Sequence, residues 1–138
     1  MNALRYCAAP LAALALTFCA ATYAHEAAPS EKVTVLQDQM LKNAPGKKAL
    51  MIEVDYLPGQ SSIAHKHEGT AMAYVLSGEI ISQVKGEKAI TYKAGEYWYE
   101  PAGSEHLVSK NASASKPAKL LVFMVLAPEE KILIPLEN

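Results

Sequence analysis

Residues 59–78 read GQSSIAHKHEGTAMAYVLSG, and residues 95–106 read GEYWYEPAGSEH. These two segments contain three of the chain's four histidines, His65, His67 and His106. Alternate side chains of a β-strand point to the same face, so His65 and His67 direct two imidazoles toward one point. His106 follows a Pro-x-Gly bend that can bring a third imidazole from elsewhere in the chain. The spacing therefore predicts that the two segments form the halves of one metal site.

The sequence around these segments indicates short strands separated by turns. Apolar and polar residues alternate over 50–56, and further apolar runs occupy 73–76 and 120–126. Turn-forming residues such as those at 43–46 stand between such runs. Strands that recur about every 8–12 residues with turns between them are typical of a β-sandwich or barrel. Residues 33–36 suit either a short strand or part of a helix.

The amino-terminal residues have the pattern of a secretory signal peptide. Arg5 supplies a weak positive region, and residues 8–21 are almost wholly apolar. This run is shorter than the ~20 residues that a membrane span needs. Small residues then stand at suitable positions for cleavage after Ala24, with Ala21 as a second cleavage point. We therefore interpret residues 1–24 as a signal peptide and expect a secreted or periplasmic protein with no membrane association after cleavage.

The remaining residues are sufficient for one small domain. We divide them into an N-terminal lead with a first short strand, residues 25–46, and a barrel, residues 47–138. Cys7 and Cys19 are the only cysteines, so the mature chain has neither a disulfide nor a thiolate ligand. Arg5 is the only arginine, and its loss removes the planar group that binds phosphates through two hydrogen bonds. Nucleic acid is therefore not an expected partner.

The two histidine segments resemble the two motifs of the cupin superfamily. The matching positions are Gly59-x5-His65-x-His67-x3-Ala71-x6-Gly78 and Gly95-x5-Pro101-x-Gly103-x2-His106. The resemblance covers about residues 47–127. The chain is also similar to a group of small secreted bacterial cupins that carry Tyr-Glu-Pro before the second motif, here at residues 99–101.

This resemblance implies an all-β jelly-roll barrel, also called a double-stranded β-helix, that holds one divalent metal ion. His65, His67 and His106 would be its ligands, and the ion would be Fe, Mn, Ni, Zn or Cu, since histidines alone do not identify it. A small-molecule ligand or substrate and a homodimer are also what the resemblance suggests. The alternative for the histidines is a barrel that once bound metal and no longer does.

The chain departs from the family's pattern at one chemically important position. Ala71 stands where the fuller motif has a glutamate, and Ala73 shares its face in a regular strand. The site would then have three neutral ligands and a gap lined by Ala71 and Ala73, which leaves room for a substrate. Glu100 is the candidate replacement, as a fourth ligand or as a catalytic base. Its alternative role is an ion pair with a lysine at the rim of the barrel.

The aromatic cluster before the second motif has two interpretations. Alternation puts Tyr97 and Tyr99 on one face of a strand, and Trp98 with Glu100 on the other. Such residues commonly pack in barrel cores, but Tyr97 and Tyr99 are also candidates to line the substrate pocket. His25 would become the first residue after cleavage and could chelate copper, although a mobile N-terminus is the simpler interpretation.

Two functions remain open from the sequence. The first is a metal-dependent enzyme for a small oxygen-rich compound, similar to cupin dioxygenases, isomerases and decarboxylases. The second is a non-catalytic periplasmic protein that binds a small ligand or a metal. No nucleophile with an adjacent base separates the two, so oxygen uptake with a panel of compounds is the discriminating measurement.

Overall fold

The computed structural model of the protein describes residues 30–137, and this part of the chain is built of strands and turns without a helix. The predicted signal peptide and His25 lie outside the described residues. The strands are β1 Lys32–Met40, β2 Lys48–Tyr56, β3 His65–Lys66, β4 Thr70–Ser77, β5 Glu79–Val84, β6 Ile90–Lys93, β7 Tyr97–Glu100, β8 Glu105–Asn111, β9 Ala118–Leu126 and β10 Ile134–Pro135. No helix able to cross a membrane is therefore found in this range.

The strands form two five-stranded antiparallel sheets, with the orders β1-β2-β9-β4-β7 and β10-β3-β8-β5-β6. Except from β1 to β2 and from β5 to β6, the chain passes from one sheet to the other between successive strands, so the two faces enclose one interior, as in a jelly roll. The all-β prediction is confirmed. The described range begins with β1, which pairs with β2 over its whole length. β1 is therefore a strand, and it is longer than the segment 33–36 that the sequence indicated.

The interior is filled by alternate side chains of the long central strands. In β2 and β9 every second residue is buried, which is the pattern of a strand with one face in a core. Leu50 on β2 and Met124 on β9 are cross-strand partners and are both fully buried. Burial of such side chains contributes about 1.5–3 kcal/mol each to folding. The apolar core therefore holds the two sheets together around the interior that the histidine segments also face.

One glycine of the first histidine motif is required by the fold. Gly78 joins β4 to β5 with a φ of 74°, and a Cβ at this position would lie 2.8 Å from both the Ala118 Cβ and the Pro117 carbonyl oxygen. We expect Gly78→Ala to lower the free energy of unfolding by about 3 kcal/mol, since left-handed backbone strain adds to overpacking. Urea denaturation of the parent and the variant measures this loss.

Gly46 offers a matched control for that substitution. Its φ of 77° is similar, but a Cβ added there would have no atom within 4 Å, so Gly46→Ala adds backbone strain without a clash. The expected loss is only about 1–2 kcal/mol. Equal losses in the two variants would contradict the role that we assign to close packing at Gly78.

Candidate metal centre

Pairing of β3 with β8 brings the two histidine segments together. His65 and His106 are direct cross-strand partners in this antiparallel pair, and both are buried. His67 lies just beyond β3 and is also buried, with its Nε2 3.2 Å from the Nε2 of His65. One nitrogen from each of the three imidazoles lies within 4.8 Å of the others. The structure therefore assembles the three predicted ligands at one point.

Backbone carbonyls orient two of the imidazoles. The Nδ1 of His65 donates to the Ile63 carbonyl at 2.7 Å, and the Nδ1 of His67 donates to the Ile132 carbonyl. The two rings are thereby held with their Nε2 atoms facing each other. Metal-binding histidines commonly have this arrangement, in which the nitrogen that does not bind the metal donates to an acceptor. Burial lowers the pKa of His65, so this imidazole is in the neutral form that binds metals.

His106 is held by the Ser82 hydroxyl. Its Nε2 lies 2.8 Å from the Ser82 Oγ, and its Nδ1 lies 3.2 Å from the Oε1 of Glu100. Burial, followed by the nearby His65 and His67, lowers the pKa of His106 to about 3. His106 is therefore neutral at physiological pH, with Nδ1 as the nitrogen that faces Glu100.

Glu100 enters the site from the opposite sheet, at the end of β7. Its side chain is buried, with the residue only 2% exposed. The Oε1 accepts a hydrogen bond from the Trp98 Nε1 at 2.8 Å, and the Oε2 lies 3.6 Å from the His67 Nε2. Among residues 30–137 the Oε2 has no hydrogen-bond partner, and burial raises the pKa of this carboxyl. A buried oxygen without a partner is costly, and a bound cation would satisfy it.

The position of Glu100 changes the expected gap beside the histidines. In the pairing of β4 with β7, Glu100 is the direct partner of Ala71. Directly opposed side chains have Cβ atoms about 4.5–5.5 Å apart on one face. A carboxylate from the adjacent strand therefore lies beside the position at which the family's motif has its glutamate. Ala71 is buried in the core without lining the cavity, whereas Ala73 lines it. The predicted gap is thus partly filled by Glu100.

The donor atoms fit one divalent ion. The His67 Nε2 lies 3.2 Å from the His65 Nε2 and 3.6 Å from the Glu100 Oε2, while the His106 Nδ1 lies 3.2 Å from the other carboxylate oxygen, Oε1. Ligands about 2.1 Å from a tetrahedral ion are about 3.4 Å apart. The three imidazoles and the partnerless carboxylate oxygen therefore have both the chemistry and the spacing of a mononuclear site. Imidazole and carboxylate together suit several first-row ions, so the donor set does not identify the metal.

The site opens into a cavity of about 110 Å³ between the sheets. Its wall is largely apolar, with Ile52 and Val122 among its members, and its polar members include Tyr56, Ser62 and Ser109. Within the described range the wall contains Glu31 and Glu100 but no lysine or arginine. The cavity therefore combines a metal-binding end with hydroxyl groups and an apolar surround.

The carboxy-terminal segment 131–136 covers this region of the site. Besides the Ile132 carbonyl on His67, β10 pairs with β3, so that Pro135 lies opposite His65. The backbone of Lys131 also donates to the Glu68 Oε2 at 2.6 Å. No motif in the sequence indicated this role, because a backbone carbonyl acts here and any residue type supplies one.

The prediction that Tyr97 and Tyr99 line the pocket is corrected by the structure. They point outward and are 73% and 57% exposed, whereas Trp98 and Glu100 point into the interior. The tyrosines line a separate groove on the outer face of the first sheet, together with Met72 and Phe123. The predicted alternation is present, but the prediction assigned the inward face to the wrong pair.

Comparison with known proteins agrees with this architecture. The cupin-domain family model, Cupin_2, matches residues 52–124, which is more than half of the chain. The chain therefore belongs to the cupin family. The crystal structure of TT1209 from Thermus thermophilus is 31% identical, with a TM-score of 0.56, and the alignment covers 72% of this chain and 84% of that one. No curated protein matches the chain.

Two solved enzymes share the fold at lower identity. DMSP lyase DddQ from Ruegeria pomeroyi DSS-3 is 17% identical with a TM-score of 0.61, over 77% of this chain and 51% of that chain. An oxalate oxidase in complex with the substrate analogue glycolate is 21% identical with a TM-score of 0.55, over 72% and 55% of the respective chains. The chain thus spans about half the length of these two enzymes, and at these identities the likeness shows the fold alone.

Proposed function

We propose that this protein is a metal-dependent enzyme that acts on a small, oxygen-containing organic anion. One observation carries the proposal: His65, His67 and His106 converge with the partnerless oxygen of Glu100 at the wall of a cavity. A buried carboxylate oxygen without a hydrogen-bond partner is costly, and a cation bound by the three imidazoles would satisfy it. Such a cation, placed at a cavity, has space beside it for a ligand.

Charge and volume define the class of that ligand. A divalent ion bound by three neutral imidazoles and one carboxylate has a net charge of +1 within its own set of ligands. Glu31 lines the cavity but lies outside this set, and the described wall offers no lysine or arginine. A monoanion balances this charge. A cavity of about 150 Å³ accommodates benzene, so the present cavity of about 110 Å³ suits a compound of a few carbon atoms. The folds shared with a DMSP lyase and with an oxalate oxidase bound to glycolate are consistent with small substrates.

The protein's own side chains would prepare this ligand for reaction. A bound ion supplies Lewis-acid polarisation or, for a redox-active metal, electron transfer. The Ile63 and Ile132 carbonyls and the Ser82 hydroxyl hold the three imidazoles in place. Trp98 fixes the Glu100 carboxyl through Oε1 and leaves Oε2 free to bind the ion or accept a proton. The apolar wall excludes water from the ligand.

Turnover is tested with the purified protein after loading with Fe(II), Mn(II), Ni(II), Zn(II) or Cu(II) in separate samples. Small hydroxy and oxo acids, phenols, thiols and diketones are supplied, and oxygen uptake and substrate loss by proton NMR are followed together. We expect metal-dependent consumption of at least one small acid. Retained metal with ligand-induced thermal stabilisation, but no substrate loss in any sample, would contradict an enzyme and indicate a binding protein.

We also propose that the protein is exported, on the basis of residues 1–24 alone. The pattern of a short apolar run followed by small residues supports removal of this segment. Intact-mass analysis of protein released from the periplasm is expected to give a chain that begins at His25. An unshortened chain in the cytosolic fraction would contradict export.

A further inference from the structure

Three hydroxyl groups form a cluster in the wall of the cavity that holds the candidate metal centre. The Tyr56 hydroxyl lies 2.7 Å from the Ser62 Oγ and 2.8 Å from the Ser109 Oγ. Tyr56 ends β2 in one sheet, Ser62 precedes β3, and Ser109 lies in β8 of the other sheet. All three residues line the same cavity as the histidines and Glu100. The metal-binding atoms and the hydroxyl cluster therefore face one enclosed space.

The hydrogen bonds within the cluster leave one donor unused. Each hydroxyl has one proton to donate, so the cluster has three protons but makes two hydrogen bonds. Tyr56 takes part in both bonds: if it donates one and accepts the other, the remaining proton belongs to a serine, and if it accepts both, the remaining proton is its own. Within residues 30–137 the three hydroxyls make no hydrogen bonds other than these two. A ligand oxygen in the cavity would accept this proton.

The electrostatics of the wall favour an uncharged ligand oxygen at the cluster. Burial raises the pKa of Tyr56, so its phenol is neutral at physiological pH. Glu31 and Glu100 line the same cavity, and the described wall carries no cationic side chain. A second carboxylate would lose its hydration there without gaining a counter-charge. A hydroxyl or carbonyl oxygen needs only the hydrogen bond that the cluster offers.

We propose that Tyr56, Ser62 and Ser109 form a specificity subsite for the uncharged oxygen of a small hydroxy- or oxo-monocarboxylic acid. The carboxylate of this acid would occupy the metal-binding end, so the inference rests on the proposed function. The subsite would favour a monocarboxylate with a second, neutral oxygen over one without it. It also disfavours a dicarboxylate of the same carbon skeleton.

The test compares three probes with a common three-carbon skeleton: lactate, propionate and malonate. Binding to the metal-loaded protein is measured by isothermal titration calorimetry, together with the metal content of each sample. We expect lactate to bind about five- to tenfold more tightly than propionate, as one additional hydrogen bond predicts. Malonate is expected to bind more weakly than lactate. Equal affinities for lactate and propionate, or tightest binding of malonate, would overturn the subsite.

The combined variant Tyr56→Phe/Ser62→Ala/Ser109→Ala removes the whole cluster and leaves no hydroxyl without its partner, a change that is often nearly neutral for stability. We expect it to retain its metal but to bind lactate and propionate equally. Ser61→Ala is the matched control, since Ser61 is exposed beside Ser62, and it should keep the parent's preference. A lactate preference that survives in the combined variant would overturn the subsite.

The metal content separates this inference from the proposed function. A parent protein that binds no divalent metal would overturn the proposed function and the subsite with it. A parent that binds metal but shows no preference for lactate would overturn the subsite alone. Where the combined variant does not fold, Tyr56→Phe alone gives the comparison, because a lactate hydroxyl that only chelates the metal would leave the preference for lactate unchanged.

Discussion

His67→Ala is expected to lose nearly all bound metal while the parent purifies with close to one ion per chain. His67 belongs to the donor set, with its Nε2 3.2 Å from the His65 Nε2 and 3.6 Å from the Glu100 Oε2. Removal of a ligand should cost more than the 10–100-fold in affinity that loss of a supporting hydrogen bond costs. Elemental analysis of both proteins measures the difference directly.

Thermal unfolding gives a second measure of the same effect. A metal present at a hundredfold excess over its Kd stabilises the folded state by about 2.7 kcal/mol, so the parent should unfold at a higher temperature with metal than without it. His67→Ala should show almost no such shift. Lys66→Ala is the matched control because Lys66 lies between the two histidines but outside the donor set. Equal trace metal in the parent and His67→Ala would contradict the metal centre.

Glu100→Gln is expected to affect metal binding and stability in opposite directions. Glutamine has the same shape and its amide oxygen can still accept from the Trp98 Nε1, but it has no negative charge. Metal affinity should fall at least about tenfold. The metal-free protein should become slightly more stable, because a buried carboxyl with a partnerless Oε2 is removed. Titration with a metal indicator and chemical denaturation of the metal-free proteins provide the two measurements.

The register of β4 and β7 allows a stronger version of this experiment. Ala71 and Glu100 are direct partners, so Ala71→Glu in combination with Glu100→Ala moves the carboxylate to the position of the family's motif. We expect Glu100→Ala to weaken metal binding and the added Ala71→Glu to restore most of it. Glu79→Gln, at an exposed position on β5, controls for loss of one negative charge. Unchanged affinity in Glu100→Gln would show that Glu100 only supports Trp98.

The sequence predicted the parts of the fold that depend on local pattern and motif. Alternation over residues 50–56 indicated β2 because one face of that strand is packed in the core. The two motifs identified the three histidines, since their spacing is set by strand geometry and by the bend before His106. The choice of cupin fold followed from both motifs in order and is confirmed by the family match to residues 52–124.

The inward face of β7 shows what pattern alone leaves undecided. Tyr97 and Tyr99 alternate with Trp98 and Glu100, and either pair is chemically plausible in an interior. The pairing with β4 decides the matter, because Trp98 lies opposite the small Ala73 and fills the volume that a larger residue would have occupied. Such complementarity of size across strands becomes visible only when the register is known.

Other parts of the site depend on contacts far apart in the chain. Tyr56 meets Ser109 across 53 positions in sequence, and neither residue belongs to a recognisable motif. The Ser82 hydroxyl reaches His106 from a neighbouring strand, where alternation indicates burial but not a partner. These residues are common in β-proteins, so their composition carried no signal of a role.

The docking of segment 131–136 ties the last strand thermodynamically to the metal. Ile132 orients His67, and β10 joins β3 through only two residue pairs. A change that weakens the pairing of β10 with β3 also frees the His67 imidazole to rotate, and so weakens metal binding. Because the coupling between two equilibria is mutual, an ion bound by His67 stabilises the pairing of β10 by the same free energy. Protease resistance near residue 132 should therefore report on occupancy. A fusion or affinity tag attached after β10 would weaken the centre without touching a ligand.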